Sequence, residues 1–156
     1  MALNGAVHVN SAYHVLMPVT TLAAAQSLVA VGTVGATGPL TKVGGAKYIA
    51  CECILVVAGG GTTAKAYVQT SLDGGSTWFD IMCFALTTTT ASRIAACSAD
   101  VAFAASAYAP LTPGAGALTD NTCIQGILGD RFRVSYVTTG TYTGASSLAV
   151  YAHVKG

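Results

Sequence analysis

The chain has 156 residues and a mass of 15.6 kDa, which suits one domain with a proper core and is too little for two. Hydrophobic residues make up 53% of it and charged residues only 8%, whereas a soluble domain usually carries roughly 25% charged residues. The net charge is +1 and the Lys and Arg residues are scattered, which argues against a nucleic-acid partner, because phosphate binding needs clustered cations. A surface so poor in charge favours a subunit of an assembly over a free monomer.

The mean hydropathy of +0.60 raises the question of a membrane span. Residues 1–41 contain no Asp, Glu, Lys or Arg, but Pro18, Gln26 and repeated Gly and Thr interrupt them. No run of about 18 apolar residues remains, which is the length that a transmembrane helix needs. The N-terminus also lacks the basic region of a signal peptide. We therefore expect no membrane partner.

Residues 1–20 are predicted to form an extended N-terminal arm, followed by a single β-sandwich domain over residues 21–156. The beginning of the arm mixes small, polar and β-branched residues without a steady period. Ordering each residue costs on the order of 1 to 2 kcal/mol of backbone entropy, so we expect neighbouring subunits to order the arm. Deleting it should then leave the domain folded. From Val15 to Val34 a short helix competes with a strand, and we interpret the segment as mostly strand.

The clearest core strand runs from Lys47 to Ala58. Its residues alternate between two faces, and both faces are apolar apart from Glu52. This pattern predicts a strand that is covered on both sides. Gly59, Gly60 and Gly61 then end it.

A β-hairpin is predicted around Asp73, because Asp-Gly-Gly lies between two β-prone runs and supplies the positive φ angles of a tight reversal. Residues 71–78, Ser-Leu-Asp-Gly-Gly-Ser-Thr-Trp, resemble the Asp-box motif Ser-x-Asp-x-Gly-x-Thr-Trp of sialidase propellers and other secreted β proteins. The resemblance implies a structural hairpin in which Asp73 bonds turn amides and Trp78 packs beneath, and it implies no activity. The hairpin residues are Ser71, Asp73, Gly75, Thr77 and Trp78. One copy cannot make a propeller, which needs several blades.

The remaining chain reads as short strands separated by Gly, Pro and Thr turns. Residues 87–90 are β-prone and polar, residues 93–103 are weakly apolar, and residues 109–116 are a Pro-Gly-rich loop. Residues 131–139 and 148–155 then alternate cleanly. Because almost no helical period is present, we predict an all-β fold, either an antiparallel β-sandwich or a jelly-roll-like barrel.

The five cysteines are Cys51, Cys53, Cys83, Cys97 and Cys123. The number is odd and no Cys-x-x-Cys pair is present. Cys51 and Cys53 point to the same side of one strand, with parallel side chains that do not converge. We interpret most of these residues as small buried hydrophobes, and expect any disulfide to be between subunits; metal binding is the third, least favoured alternative.

Residues that would carry enzymatic chemistry are missing. His8, His14 and His153 lie in the terminal regions, and neither a Gly-x-Ser-x-Gly elbow nor a zinc-binding His pair occurs. The carboxylates lie mostly beside turn residues, where capping explains them. Asp120 and Asn121 with Asp130 form the one set remotely suited to calcium. We therefore predict no catalytic residues, no cofactor and no metal.

A second resemblance covers roughly the second half of the chain. Residues 68–78, 118–122, 126–134 and 138–142 are similar to small β-rich proteins encoded among the virion structural genes of tailed bacteriophages. The resemblance implies a structural virion protein, most specifically a capsid decoration or cement protein on the capsid surface. Its partners would be the major capsid protein and copies of itself.

The alternative is a tail-, connector- or fibre-associated β domain, which as a binding module would contact host glycans. Aromatic rings that stack on sugars would then be needed. The candidates are Trp78, Tyr108, Tyr136, Tyr142 and Tyr151.

Overall fold

The computed structural model describes residues 11–22, 41–42, 46–101 and 116–156. Over these ranges the chain forms eight β-strands. In chain order they are β1 (Ser11–Thr21), β2 (Thr41–Lys42), β3 (Tyr48–Val56), β4 (Thr63–Ser71), β5 (Phe79–Leu86), β6 (Ala91–Ser98), β7 (Arg131–Thr139) and β8 (Ser147–Lys155). The described part of the chain contains no helix of the length and apolarity that crossing a membrane requires.

The strands form two four-stranded sheets, and all neighbouring strands within each sheet are antiparallel. Sheet 1 has the order β1-β8-β3-β6 and sheet 2 the order β2-β7-β4-β5. Side chains of both sheets meet in one core, which includes Leu16, Ile49, Leu55, Val68, Phe84, Phe132 and Val150. The predicted all-β fold is confirmed, and its two packed layers make it a sandwich.

Strand β3 buries only one of its faces. Alternate residues from Ile49 to Leu55 are buried, whereas Tyr48, Glu52 and Val56 on the other face are exposed. The sequence predicts cover on both sides, and this is wrong for the outer face. The reason is architectural, because packing of the two sheets buries the inner face of β3, and no described segment covers its outer face.

The first strand corrects the predicted N-terminal arm. Residues 11–21 form β1, which pairs with β8 of the same chain, with irregularities after Val15 and Met17. Leu16 and Met17 lie in the core. Pairing with β8 and burial of these side chains offset the entropy of ordering the segment, so no neighbouring subunit is needed for it.

The domain boundary therefore moves from residue 21 to residue 11 at the latest. Residues 1–10 and most of the segment for which helix and strand competed lie outside the described residues. Deleting residues 1–20 would remove an edge strand, and we now expect that deletion to destabilise the sandwich.

A connecting segment, residues 121–126, closes one side of the sandwich, and we call it the 121–126 bridge. On sheet 2 it pairs with the edge of β5. The amide of Cys83 donates to the carbonyl of Thr122 at 2.9 Å, and the amide of Ile124 donates to the carbonyl of Ile81 at 2.8 Å. These bonds satisfy backbone groups of an edge strand that would otherwise be open to another chain.

The same bridge reaches β6 of sheet 1. The side chain of Gln125 accepts a hydrogen bond from the amide of Ser98 at 2.8 Å and donates to the carbonyl of Ala96 at 2.9 Å. The amide of Gly126 donates to the carbonyl of Ser98 at 2.8 Å. The bridge thus links the edges of both sheets.

Candidate functional site

The predicted hairpin lies between β4 and β5 and is built around Asp73. One carboxylate oxygen, Oδ1, accepts hydrogen bonds from the amides of Ser76 (3.0 Å) and Thr77 (2.8 Å) and from the hydroxyl of Ser71 (2.8 Å). The other, Oδ2, accepts from the hydroxyl of Thr77. The bond from the Thr77 hydroxyl, followed by those from the Thr77 amide and the Ser71 hydroxyl, lowers the pKa of Asp73 to about 2. The carboxylate therefore acts as a fixed acceptor that organises the turn.

Two glycines complete the turn as the sequence predicts. Gly74 and Gly75 have φ angles of 74° and 102°, which residues other than glycine rarely adopt. The amide of Gly75 donates to the Ser71 hydroxyl at 2.7 Å. Ser71 and Asp73 thus accept hydrogen bonds from successive amides of the same turn.

Trp78 packs beneath this turn. Its indole Nε1 donates to the carbonyl of Gly75 at 3.0 Å, and the side chain is buried. The guanidinium of Arg133, on β7, lies 4.3 Å from the centre of the indole ring, which is a cation–π contact. The resemblance to the Asp-box led us to expect the buried Trp78, but not its contact with Arg133.

A buried polar network continues from Arg133 across the outer face of sheet 2. Its Nε donates to Oε1 of Gln69 at 2.7 Å, and the hydroxyl of Ser135 donates to the same oxygen at 3.1 Å. Nε2 of Gln69 donates to Oδ1 of Asp80 at 2.7 Å. Oδ2 of Asp80 accepts the amide of Ala117 at 2.8 Å. Gln69, Asp80 and Ser135 are buried, and each buried polar group here has a partner.

Sequence reasoning missed this network. Gln69 follows Val68 along β4, so the two side chains are predicted to lie on opposite faces of the sheet. The alternation does not show whether another segment covers the face that carries Gln69. Asp80 lies within a β-prone run, where a single carboxylate looks like an ordinary surface residue. The only signal was Asp80, a carboxylate two positions after the hairpin residue Trp78. Its partners could not be read from the sequence, because the network joins residues of three different strands.

All five cysteines are free thiols. Cys51, Cys53, Cys83 and Cys97 are buried and Cys123 is exposed. Burial, with smaller contributions from neighbouring thiols, raises the pKa of Cys51, and burial raises the pKa of Cys53 to about 12. The expectation that most of them are small buried residues is therefore met.

Other candidate polar residues are engaged in structural contacts. Asp120 forms an ion pair with Lys65 at 2.6 Å, and the side chain of Asn121 accepts the amide of Ala85 at 3.0 Å. Asp130 lies 4.0 Å from the Arg131 guanidinium. Over the described residues, no three His, Cys, Asp or Glu side chains are placed to hold a metal ion together. Of the histidines, His8 lies outside the described residues, His14 is half-buried on β1 and His153 is exposed on β8.

The outer face of sheet 1 has a different character. Large apolar side chains are exposed on it, with Ile94 82% and Tyr13 65% accessible. We call this surface the apolar face, and its residues are Tyr13, Val15, Tyr48, Val56 and Ile94. Glu52 lies in its centre, opposite Ile94 on one side and Tyr151 on the other.

A shallow depression of about 290 Å³ lies in the apolar face. Its walls include Tyr13, Tyr151 and Ile94, and Glu52 and His153 also line it. The rings of Tyr13 and Tyr151 are stacked, with centroids 6.0 Å apart and an angle of 22° between their planes. We call this depression the tyrosine dish.

The candidate sugar-stacking residues divide accordingly. Tyr151 lies in the tyrosine dish, whereas Trp78, Tyr136 and Tyr142 are buried. Tyr108 lies outside the described residues. Tyr13, which the sequence analysis did not select, supplies the second ring.

No protein-family model, curated protein or solved structure significantly matches this chain.

Proposed function

We propose that this chain is a non-enzymatic structural protein of a tailed-phage virion, and most specifically a capsid decoration or cement protein. The observation that carries the proposal is the apolar face. Five large apolar side chains are exposed together on one sheet, with Glu52 in their centre. Several large apolar side chains exposed on one sheet of a charge-poor chain are typical of a protein that docks on another protein.

The second sheet supports a structural role in another way. The carboxylates of Asp73 and Asp80 accept hydrogen bonds from the turn and from the buried network, and Asp120 is paired with Lys65. Groups engaged in this manner act on folding, so the acidic side chains of sheet 2 have a structural explanation that needs no substrate. The partners under this proposal are the major capsid protein and further copies of the chain, and the location is the outer surface of the capsid.

The proposal is tested on purified particles of the phage that encodes the chain. Cryo-electron microscopy of wild-type particles should place a β-sandwich on the shell, with sheet 1 turned towards the capsid protein. Density at the connector, tail or fibre, with none on the shell, would overturn the decoration role.

A binding assay tests the docking face itself. Ile94→Lys should weaken binding to particles that lack the protein, because it places a charge in the apolar face. Leu72→Lys is the matched control, since Leu72 is 61% exposed on the hairpin, which is not part of sheet 1. Equal binding of both variants would exclude the apolar face as the docking surface.

A second candidate function is favoured by the tyrosine dish, namely host-glycan binding by a tail- or fibre-associated domain. Stacked aromatic rings beside a carboxylate suit a sugar, which offers an apolar ring face and hydroxyl donors. The volume of about 290 Å³ lies just below the range of small-molecule sites, which is roughly 300 to 1,000 Å³.

A glycan array followed by titration tests this candidate. Tyr151→Ala should abolish any glycan binding, whereas Val56→Ser, on the same sheet but away from the dish, should retain it. Binding that survives Tyr151→Ala, or no binding across the array, would reject the dish as a sugar site.

A further inference from the structure

Two of the five cysteines approach each other where the 121–126 bridge meets β6. Cys97, on β6, is 1% exposed, and its thiol donates to the carbonyl of Ile81 at 3.6 Å. The amide of Ile124 donates to the same carbonyl, at 2.8 Å. Cys123, the residue before it, directs its thiol to the carbonyl of Ala96 at 3.8 Å. Cys97 and Cys123 thus share one small region, because the Cys123 thiol contacts the carbonyl of the residue that precedes Cys97.

We propose that Cys97 and Cys123 are an oxidisable dithiol, which forms an intrachain disulfide and fixes the 121–126 bridge to β6. Bond formation requires the sulfur atoms to approach to about 2.05 Å. Cys97 lies in a regular strand, whereas Cys123 lies outside the strands and forms an isolated β-bridge with Met82. Since its side chain is exposed, Cys123 can supply the movement while both sheets stay in place.

A cavity of about 390 Å³ gives an oxidant access to Cys123. It lies between β5, β6 and the bridge, and its lining includes Ser92, Arg93, Asn121 and Cys123. Arg93 also lines the cavity, and its positive charge attracts an anionic reagent. Nε2 of Gln125 donates to the sulfur of Cys123 at 3.3 Å. Because Cys123 is exposed and the other four cysteines are buried, Cys123 is the thiol that an oxidant reaches first.

The oxidant that we assign is a low-molecular-weight disulfide such as oxidised glutathione. The Cys123 thiolate attacks one of its sulfur atoms, which forms a mixed disulfide and releases one glutathione thiolate. The Cys97 sulfur then attacks the Cys123 sulfur, the second glutathione leaves as a thiolate, and it takes up the proton from Cys97. Two protein thiols are oxidised by two electrons, and one glutathione disulfide is reduced to two glutathione thiols.

The second step is expected to be slow. Burial, together with the nearby Cys123 thiol, raises the pKa of Cys97 to about 12, so little of it is ionised at neutral pH. The remaining cysteines compete poorly, because Cys51, Cys53 and Cys83 are buried and burial raises the pKa of each. For Cys97 and Cys123, this intrachain pairing replaces the expectation of a disulfide between subunits.

The test is oxidation of the folded full-length protein in oxidised glutathione, followed by alkylation, digestion and mass spectrometry. The protein should lose two of its five thiols and yield a peptide pair linked through Cys97 and Cys123. Oxidation should also raise the melting temperature, because the crosslink restricts the unfolded chain. Cys123→Ser should show neither change, and Cys53→Ser should show both.

Three outcomes would overturn the proposal. They are a stable mixed disulfide on Cys123 without the linked peptide, a dimer crosslinked through Cys123 on a non-reducing gel, and no loss of thiols over a time in which denatured protein is fully oxidised. Since Cys123 is exposed, we expect Cys123→Ser to remain folded. The test therefore stays informative even if substitution of the buried Cys97 prevents folding.

Discussion

The outer faces of the two sheets use polar groups in opposite ways. On sheet 2, Gln69 forms hydrogen bonds with both Asp80 and Arg133, Trp78 packs on Arg133, and the amide of Ala117 bonds Asp80. On sheet 1, the apolar face surrounds Glu52 with exposed large side chains. A face whose polar groups are hydrogen-bonded within the protein stabilises the fold. A face that exposes large apolar side chains to water is typical of a binding surface. Under the proposed function, sheet 2 stabilises the fold and sheet 1 docks on the partner.

The largest expected effect comes from breaking the sheet 2 network. Asp80→Ala leaves the buried amide of Gln69 and the amide of Ala117 without an acceptor, and should lower the free energy of unfolding by about 2 to 4 kcal/mol. Denaturant unfolding measures this. Glu52→Ala is the control on the opposite sheet, and should change it by less than about 0.5 kcal/mol. Equal effects of the two substitutions would remove the contrast between the faces.

A smaller effect is expected from Arg133→Met. This change removes the cation–π contact with Trp78 and one hydrogen bond to Gln69 but keeps the aliphatic stem, so the loss should be about 1 to 2 kcal/mol. Arg93→Met removes an exposed guanidinium from β6 and should have almost no effect on unfolding. If Arg133→Met were as stable as wild type, the stability of the network would not depend on the guanidinium of Arg133.

The hairpin gives a pH-dependent prediction. Hydrogen bonds lower the pKa of Asp73 from 3.8 to about 2, so its ionised form stabilises the fold above 3.8 and this contribution is lost as the pH falls towards 2. Asp73→Asn should therefore lower the melting temperature at neutral pH by a modest amount. The difference between wild type and variant should shrink between those two pH values. A difference that stays constant over that range would contradict the role of the carboxylate charge.

The smallest effect on stability is expected on the apolar face. Ile94→Lys should change the free energy of unfolding by no more than about 0.5 kcal/mol, because the side chain is 82% exposed. The same variant is the one expected to lose particle binding. A large loss of stability would mean that Ile94 belongs to the fold, and the division between the two faces would fail.

Sequence reasoning predicted the hairpin because its contacts are local. The turn is held by residues no more than four positions apart, between Ser71 and Trp78, so the chemistry of a short motif is sufficient. The alternation of residues 131–139 likewise predicted β7 with its observed bounds. The all-β fold followed from the number of such runs, which left a sandwich and a jelly-roll-like barrel as alternatives, and the two sheets of the structure decide for the sandwich.

The sheet 2 network was not predictable, since it depends on register. A bulge between Val68 and Gln69 brings Gln69 opposite Asp80, and a one-residue irregularity leaves no trace in the alternation of either strand. Residues 87–90 show a related limit. They are β-prone, but they connect β5 of sheet 2 to β6 of sheet 1, and the chain has to leave its extended pairing to change layers.

The N-terminal segment shows that an energetic argument can be right while its assignment is wrong. The entropy of ordering residues 11–20 does need an offset, but β8 of the same chain supplies it. Composition indicates that a segment needs cover and does not identify the strand that covers it.

The position of β8 has a consequence for how the protein is made. It is the last of the eight described strands in chain order, yet it lies inside sheet 1, between β1 and β3. While a ribosome is still producing the earlier strands, β1 has no partner in that sheet and β3 has only β6. Sheet 1 can form as observed only after residues 147–155 have emerged, so β1 and one edge of β3 stay unpaired until then. We expect sheet 1 to form late, and aggregation to be most frequent in the interval before β8 inserts.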